Sequence, residues 1–208
     1  MTTFARFEAN GNVLHGIVEG HTIKELSGSP LGDYSETGNS HNLQDVKLLP
    51  PVSPRKIVAI GLNYRSHLGD KPGPAAPEPF LKSSTTVVGH GDNIVIPKIA
   101  IEEGVKIQPE AELALVIGKD CKGATQDNAL DYVFAYTCGN DVSARDWQRD
   151  DRNWWRAKSS DTFSPAGPYI ETELDPHNVR VTGRISGKEV QSESTTYLTV
   201  SYTHLTLP

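Results

Sequence analysis

Glu110-Ala111-Glu112-Leu113-Ala114-Leu115-Val116-Ile117 is the stretch that decides how this chain is read. Its apolar run has the character of a β-strand, and side chains on a strand alternate between faces. Glu110 and Glu112 therefore project to the same side. Two like charges on one half-buried face repel and resist loss of water unless a proton or cation compensates them. A third carboxylate, Asp141, stands at the end of another β-like run, Tyr132 to Cys138. Three convergent carboxylates, with no Cys/His cluster beside them, suit a hard, oxygen-preferring divalent ion: Mg²⁺ before Ca²⁺ or Mn²⁺.

On either side of this stretch the pattern is strand-rich. Phe4-Ala5-Arg6-Phe7 and Val13 to Val18 read as short strands joined by a turn at Asn10-Gly11-Asn12. Gly28 to Asn42, rich in Gly, Ser and Asn, reads as loop, and Pro50-Pro51-Val52-Ser53-Pro54 punctuates the chain. Lys56 to Gly61 reads as a buried strand. The segment from Pro72 to Pro79 is unsuited to helix or central strand. Gln126 to Leu130 is the best short-helix candidate, and Val179 to Ser186 pairs with Lys188-Glu189-Val190 around Gly187. The fold class expected is mainly β (α+β). A small N-terminal β segment (1–52) precedes a larger domain (53–198) and a tail (199–208).

Composition limits the function classes. Twenty basic against 26 acidic residues give a net charge of −6, so the chain lacks the basic footprint of a nucleic-acid binder. No apolar run approaches the roughly 18 residues of a membrane span, and the N-terminus lacks a signal-peptide pattern. Cys121 and Cys138 stand apart, without paired spacing, and read as buried or semi-buried thiols of a cytoplasmic protein.

Five motifs occur in order: Gly61-Leu62-Asn63-Tyr64-x-x-His67, Phe80-Leu81-Lys82, Glu110-x-Glu112-Leu113, Asn140-Asp141-Val142-Ser143-Ala144-Arg145-Asp146 and Arg156-Ala157-Lys158-Ser159. Together, over roughly 54–198, they resemble the fumarylacetoacetate hydrolase family, in its acylpyruvase/isomerase-like branch. The resemblance implies a mixed β-sandwich roll, a homodimer and a site for Mg²⁺, with Ca²⁺ or Mn²⁺ as alternatives. It implies Glu110, Glu112 and Asp141 as metal ligands. Tyr64, Arg145 and Gln148 become substrate contacts, and Lys158 and the pair His67 and Asp70 become catalytic. Asp70 departs from the more usual Glu and gives that pair a shorter arm. The tail looks unlike the family and lacks its closing strands and Gly-Thr-Pro turn, so the catalytic domain reads as truncated.

The activity implied is metal-dependent hydrolysis of a C–C bond in an acylpyruvate-like 2-oxo acid through a stabilised enolate. Isomerase, tautomerase, decarboxylase and hydratase chemistry on the same scaffold are alternatives, as is an inactive metal-binding fragment. A carbohydrate-binding β domain, using Trp147, Trp154 and Trp155 as surface aromatics, is the remaining rival. Each candidate residue also has a plainer reading. Glu110 and Glu112 fit a solvated strand face, Asp141 a turn, Arg145 and Asp146 a surface ion pair, Lys158 an exposed lysine and His67 a loop histidine.

Overall fold

The computed structural model describes residues 2–70 and 72–199. The N-terminal strands are β1 (Thr3–Ala9), β2 (Asn12–Glu19), β3 (Thr22–Leu26), β4 (Glu36–Asn42) and β5 (Lys47–Leu48). Asn10 and Gly11 both adopt positive φ (51° and 75°), the turn geometry whose twist matches a tight β-hairpin. Phe4, Ala5, Phe7 and Ile23 are buried from this sheet. Gly16, facing Lys24 and Ile23, is required by close approach. A Cβ there would lie 2.3 Å from Ile23 Cγ2 and 2.5 Å from the Lys24 carbonyl oxygen.

The rest of the chain supplies β6 (Ile57–Gly61), β7 (Glu78–Lys82), β8 (Val87–Val88), α1 (Lys98–Glu102), β9 (Ile107–Gln108) and β10 (Ala111–Ile117). There follow β11 (Val133–Asn140), β12 (Ser143–Ala144), α2 (Arg145–Asp150), α3 (Trp155–Ser159), β13 (Ser164–Pro165) and β14 (Ile170–Glu171). The last pair is β15 (Arg180–Ile185) and β16 (Lys188–Ser194). The largest sheet runs β10-β11-β14-β1-β2-β3-β4, with β5 on β1. The short β14 is the splice between the two halves: Phe4 pairs with Ile170, and Tyr136 with Glu171. The N-terminal strands thus share one hydrogen-bonded sheet with the strand that opens beside Glu110 and Glu112.

The mainly β expectation holds, and the local readings divide. Gly28–Asn42 is not all loop: Glu36–Asn42 is an edge strand on β3. Three of its polar side chains converge on one carboxylate: Thr37, Asn39 and His41 all bond Glu25. Gln126–Leu130 is not a helix; a turn there leads into a 3₁₀ segment, Ala129–Tyr132. The α-helices lie elsewhere and are only five or six residues long. Lys56–Gly61 is a strand but half-buried, and Pro79 is tolerated because β6 and β7 form a two-stranded sheet. Cys121 and Cys138 are exposed rather than buried. Residues 200–208, most of the expected tail, lie outside the described residues. Thr199 donates its N–H to the Asn63 carbonyl. Among the described residues no helix is long and apolar enough to cross a membrane.

Candidate active site

Backbone pairing brings the acidic residues together. Ala111 pairs with Asn140, so Glu110 and Asp141 become neighbours just beyond the ends of β10 and β11. The Asp141 N–H donates to the Glu110 carbonyl at 2.9 Å, and the Glu110 N–H donates to Asn140 Oδ1 at 3.0 Å. Gln191, reaching from β16, donates to the Ala111 carbonyl and accepts from its N–H, both at 2.8 Å, clipping the edge of β10. Behind Asp141 a buried cluster of Ala100, Val142, Ala144, Trp147, Ala157 and Phe163 fixes the backbone that presents the charged side chains. Like charges on adjacent strands are destabilising unless answered.

Three cations answer two of these carboxylates. Lys158, from α3, places its ammonium between Glu110 Oε2 (2.6 Å) and Asp141 Oδ2 (2.5 Å). Lys82, the last residue of β7, donates to Asp141 Oδ1 at 2.5 Å and to the Phe163 carbonyl at 3.0 Å. Arg145 opens α2 and donates to Glu110 Oε1 (2.5 Å), Gln108 Oε1 (2.7 Å) and Gln148 Oε1 (2.8 Å). Ser143 Oγ donates to Glu110 Oε2 at 3.0 Å. Both lysine side chains are 3% exposed, far from the exposed lysine of the plainer reading. Phe80, two residues before Lys82 and on the same strand face, lies 5.3 Å under the Lys158 ammonium and meets Trp154 edge-on.

Glu112 differs from its neighbours. Among the described residues no group donates a hydrogen bond to its carboxylate. Burial, reinforced by the charges of Asp141 and Glu110, pushes its pKa up to about 8. Burial works the same way on Glu110, but the Lys158 ammonium and the Arg145 guanidinium overcome it and hold that group down at about 2. Desolvation lowers the pKa of Lys82 despite the opposing pull of Asp141. Burial, then the Glu112 charge, raises that of Tyr64.

These groups line a cleft of about 310 Å³ whose walls include Gly61, Tyr64, Phe80, Glu110, Glu112, Asp141, Arg145, Gln148, Trp154 and Lys158. Seven of the nine residues singled out from sequence therefore meet in one place. Asp70 is exposed and does not line the cleft. The backbone of His67 closes a 3₁₀ turn, Arg65–His67, while its side chain lies outside the described part of the structure. Lys82 was given no role from sequence, and its signal was its register with Phe80 on β7. The reading of Trp147, Trp154 and Trp155 as a surface aromatic patch fails, since Trp147 is buried and Trp154 walls the carboxylate cleft.

Among the described residues, no three His, Cys, Asp or Glu side chains converge as placed into a ready metal cage. The Lys158 ammonium stands between two of the three carboxylates. The donor chemistry nonetheless fits a hard divalent cation: the groups offered are carboxylate oxygens, and Glu112 is desolvated with no compensating donor among the described residues.

Residues 56–206 match the fumarylacetoacetate (FAA) hydrolase C-terminal family, and residues 3–51 match the Rv2993c-like N-terminal family. The chain is 41% identical over 167 residues to a mitochondrial oxaloacetate tautomerase, fahd2, of Xenopus laevis. That match takes in 76% of this chain and 51% of the relative, so the chain spans about half that relative's length. The structure of a 5-carboxymethyl-2-hydroxymuconate delta-isomerase from Mycobacterium smegmatis superposes with a TM-score of 0.85 at 37% identity, covering 95% of this chain and 77% of that one. A maleylpyruvate hydrolase from Sphingobium sp. SYK-6, solved with manganese(II) and pyruvate, superposes with a TM-score of 0.77 at 26% identity, covering 98% and 80%. The mostly β fold with few helices is that of these proteins, and the chain belongs to the fumarylacetoacetate hydrolase family.

Proposed function

We propose that this chain carries the chemical centre of an enzyme that moves a proton on a small 2-oxo acid through its enolate, as a tautomerase or isomerase. The observation that carries this reading is the cleft itself, where Lys158 and Arg145 crowd against Glu110 and Asp141 while Glu112 has no compensating donor among the described residues. Glu110, Glu112 and Asp141 are the residues that would hold a divalent metal. When bound it supplies Lewis-acid charge to a substrate's oxo and carboxylate oxygens. Mg²⁺ is the first choice, and the manganese in the maleylpyruvate hydrolase structure supports a divalent ion more generally.

The protein's own groups would do the rest. Lys158 and Arg145 place fixed positive charge where an enolate oxygen gains negative charge, a preorganised effect of several kcal/mol. Arg145 also has the planar fork that recognises carboxylates, once Gln108 and Gln148 yield its N–H groups. Tyr64, buried against the cleft, positions the substrate. His67 is the proposed general base, closing the 3₁₀ turn that begins just after Tyr64, and Asp70 its orienting partner. The names of the tautomerase and isomerase relatives support proton transfer as the reaction. Hydrolytic C–C cleavage is the second reading, supported by the hydrolase neighbour.

The experiment combines a product assay with a binding assay. The protein plus Mg²⁺ or Mn²⁺ is offered enol-oxaloacetate and an acylpyruvate, and loss of the enol is followed by ultraviolet absorbance. Faster loss of enol-oxaloacetate than in buffer, abolished by Glu110→Gln together with calorimetric Mn²⁺ binding, is the expected result. Wild-type affinity retained in Glu110→Gln and in Asp141→Asn would reject the site.

A further inference from the structure

We propose that Lys82 is a positioning residue for Asp141, holding Oδ1 so that Oδ2 alone is presented to a cation bound among the carboxylates. This rests on the reading of Asp141 as a metal ligand. Lys82 is 5% exposed, and burying an ammonium is costly unless its donors are well used. Its partners come from two other parts of the chain, Asp141 Oδ1 and the Phe163 carbonyl. Together they fix the direction of the ammonium. The backbone just beyond it is fastened as well. The Ser83 N–H donates to Ser159 Oγ on α3 (3.0 Å), and Thr86 Oγ1 meets Ser164 Oγ at 2.7 Å. The end of β7 is therefore docked on α3, which bears Lys158, and on β13.

The consequence for Asp141 is a division of labour between its oxygens. Oδ1 is engaged by Lys82, whereas Oδ2 faces the space between Asp141 and Glu110 that Lys158 fills. Lys158 reaches the same space from the short α3 and contacts both carboxylates, whereas Lys82 contacts Asp141 alone of the two. Without Lys82 the Asp141 carboxylate would be held only through Oδ2, the oxygen that a cation would have to share with or take from Lys158. Simple electrostatics and positioning then predict opposite outcomes. Removing a like charge beside an incoming cation tightens binding, whereas releasing a ligand from the group that orients it weakens binding. Loss of an orienting partner behind a metal ligand typically costs about 10- to 100-fold in affinity, and we take that term to dominate because Lys82 also anchors the β7 end.

The test is calorimetric titration of Mn²⁺ into the wild type, Lys82→Met and Lys82→Gln, with folding checked by circular dichroism. Lys82→Met is expected to bind Mn²⁺ about 10- to 100-fold more weakly. Lys82→Gln, which keeps a shorter, uncharged donor, should fall between it and the wild type. Binding as tight as or tighter than wild type in Lys82→Met overturns the proposal and leaves the metal reading standing. Should Lys82→Met fail to fold, Lys82→Gln decides by the same comparison, with weaker binding expected. A wild type that takes up no Mn²⁺ defeats the metal reading itself, and the role of Lys82 with it.

Discussion

Glu112→Gln gives the sharpest test of the electrostatics. In the unfolded chain Glu112 titrates at its ordinary value of 4.5, whereas in the folded protein burial among Asp141 and Glu110 raises it to about 8. A carboxyl raised on folding stabilises the native state while protonated. Its contribution is complete below pH 4.5, declines as the pH rises, and is gone above about 8. At about 1.4 kcal/mol per pH unit, the interval corresponds to something on the order of 5 kcal/mol. Glu110, held down at about 2, has the opposite sign: its contribution is present above 4.5 and lost toward pH 2. The two windows do not overlap, and between pH 5 and 9 the difference between the wild type and Glu112→Gln cancels the other groups that titrate there, His15 among them. Gln is neutral throughout. In metal-free buffer the wild type and Glu112→Gln should melt alike near pH 5, with the variant higher by on the order of 10 °C at pH 9. Adding Mn²⁺ at pH 9 should restore the wild type, because the ionised carboxylate then has a cation. Parallel melting curves across the whole range would refute the reasoning, since they would mean Glu112 is solvated or already compensated.

Two further substitutions address the rest of the molecule. Lys158→Met removes the ammonium that bridges Glu110 and Asp141 but leaves each with one cation, Arg145 and Lys82, so the loss should fall below the roughly 3–5 kcal/mol of a fully uncompensated buried charge. Thermal unfolding should register that loss, and a divalent cation should recover much of it. Gly16→Ala forces a methyl into the Ile23 side chain and Lys24 backbone; overpacking of this kind costs about 1–3 kcal/mol and should lower the denaturation midpoint without changing Mn²⁺ affinity.

Legibility from sequence followed how local each interaction is. The hairpins at Asn10-Gly11 and Gly187 were readable because turn chemistry is carried by two adjacent residues. The strand after Glu110 was readable from its apolar run. Glu36–Asn42 was not, because its polar residues form a strand only when Glu25, more than ten residues away, accepts their hydrogen bonds. The short helices were missed for a related reason. α3 starts from Trp154 in a left-handed backbone conformation, and five residues are too few for helical periodicity to show. Lys82 lay in view within Phe80-Leu81-Lys82, but nothing local distinguishes a lysine that will be buried from one that faces water.

The amino-acid sequence by itself determined that Glu110 and Glu112 share a face, because strand alternation depends only on spacing along the backbone. It also placed Asp141 at a strand end. What answers those charges was decided by the tertiary fold alone. Lys82 reaches Asp141 across 59 positions and Lys158 reaches Glu110 across 48, while Glu112 has no donor among the described residues. Desolvation and charge compensation depend on every group within a few ångströms, and folding gathers those groups from distant parts of the chain.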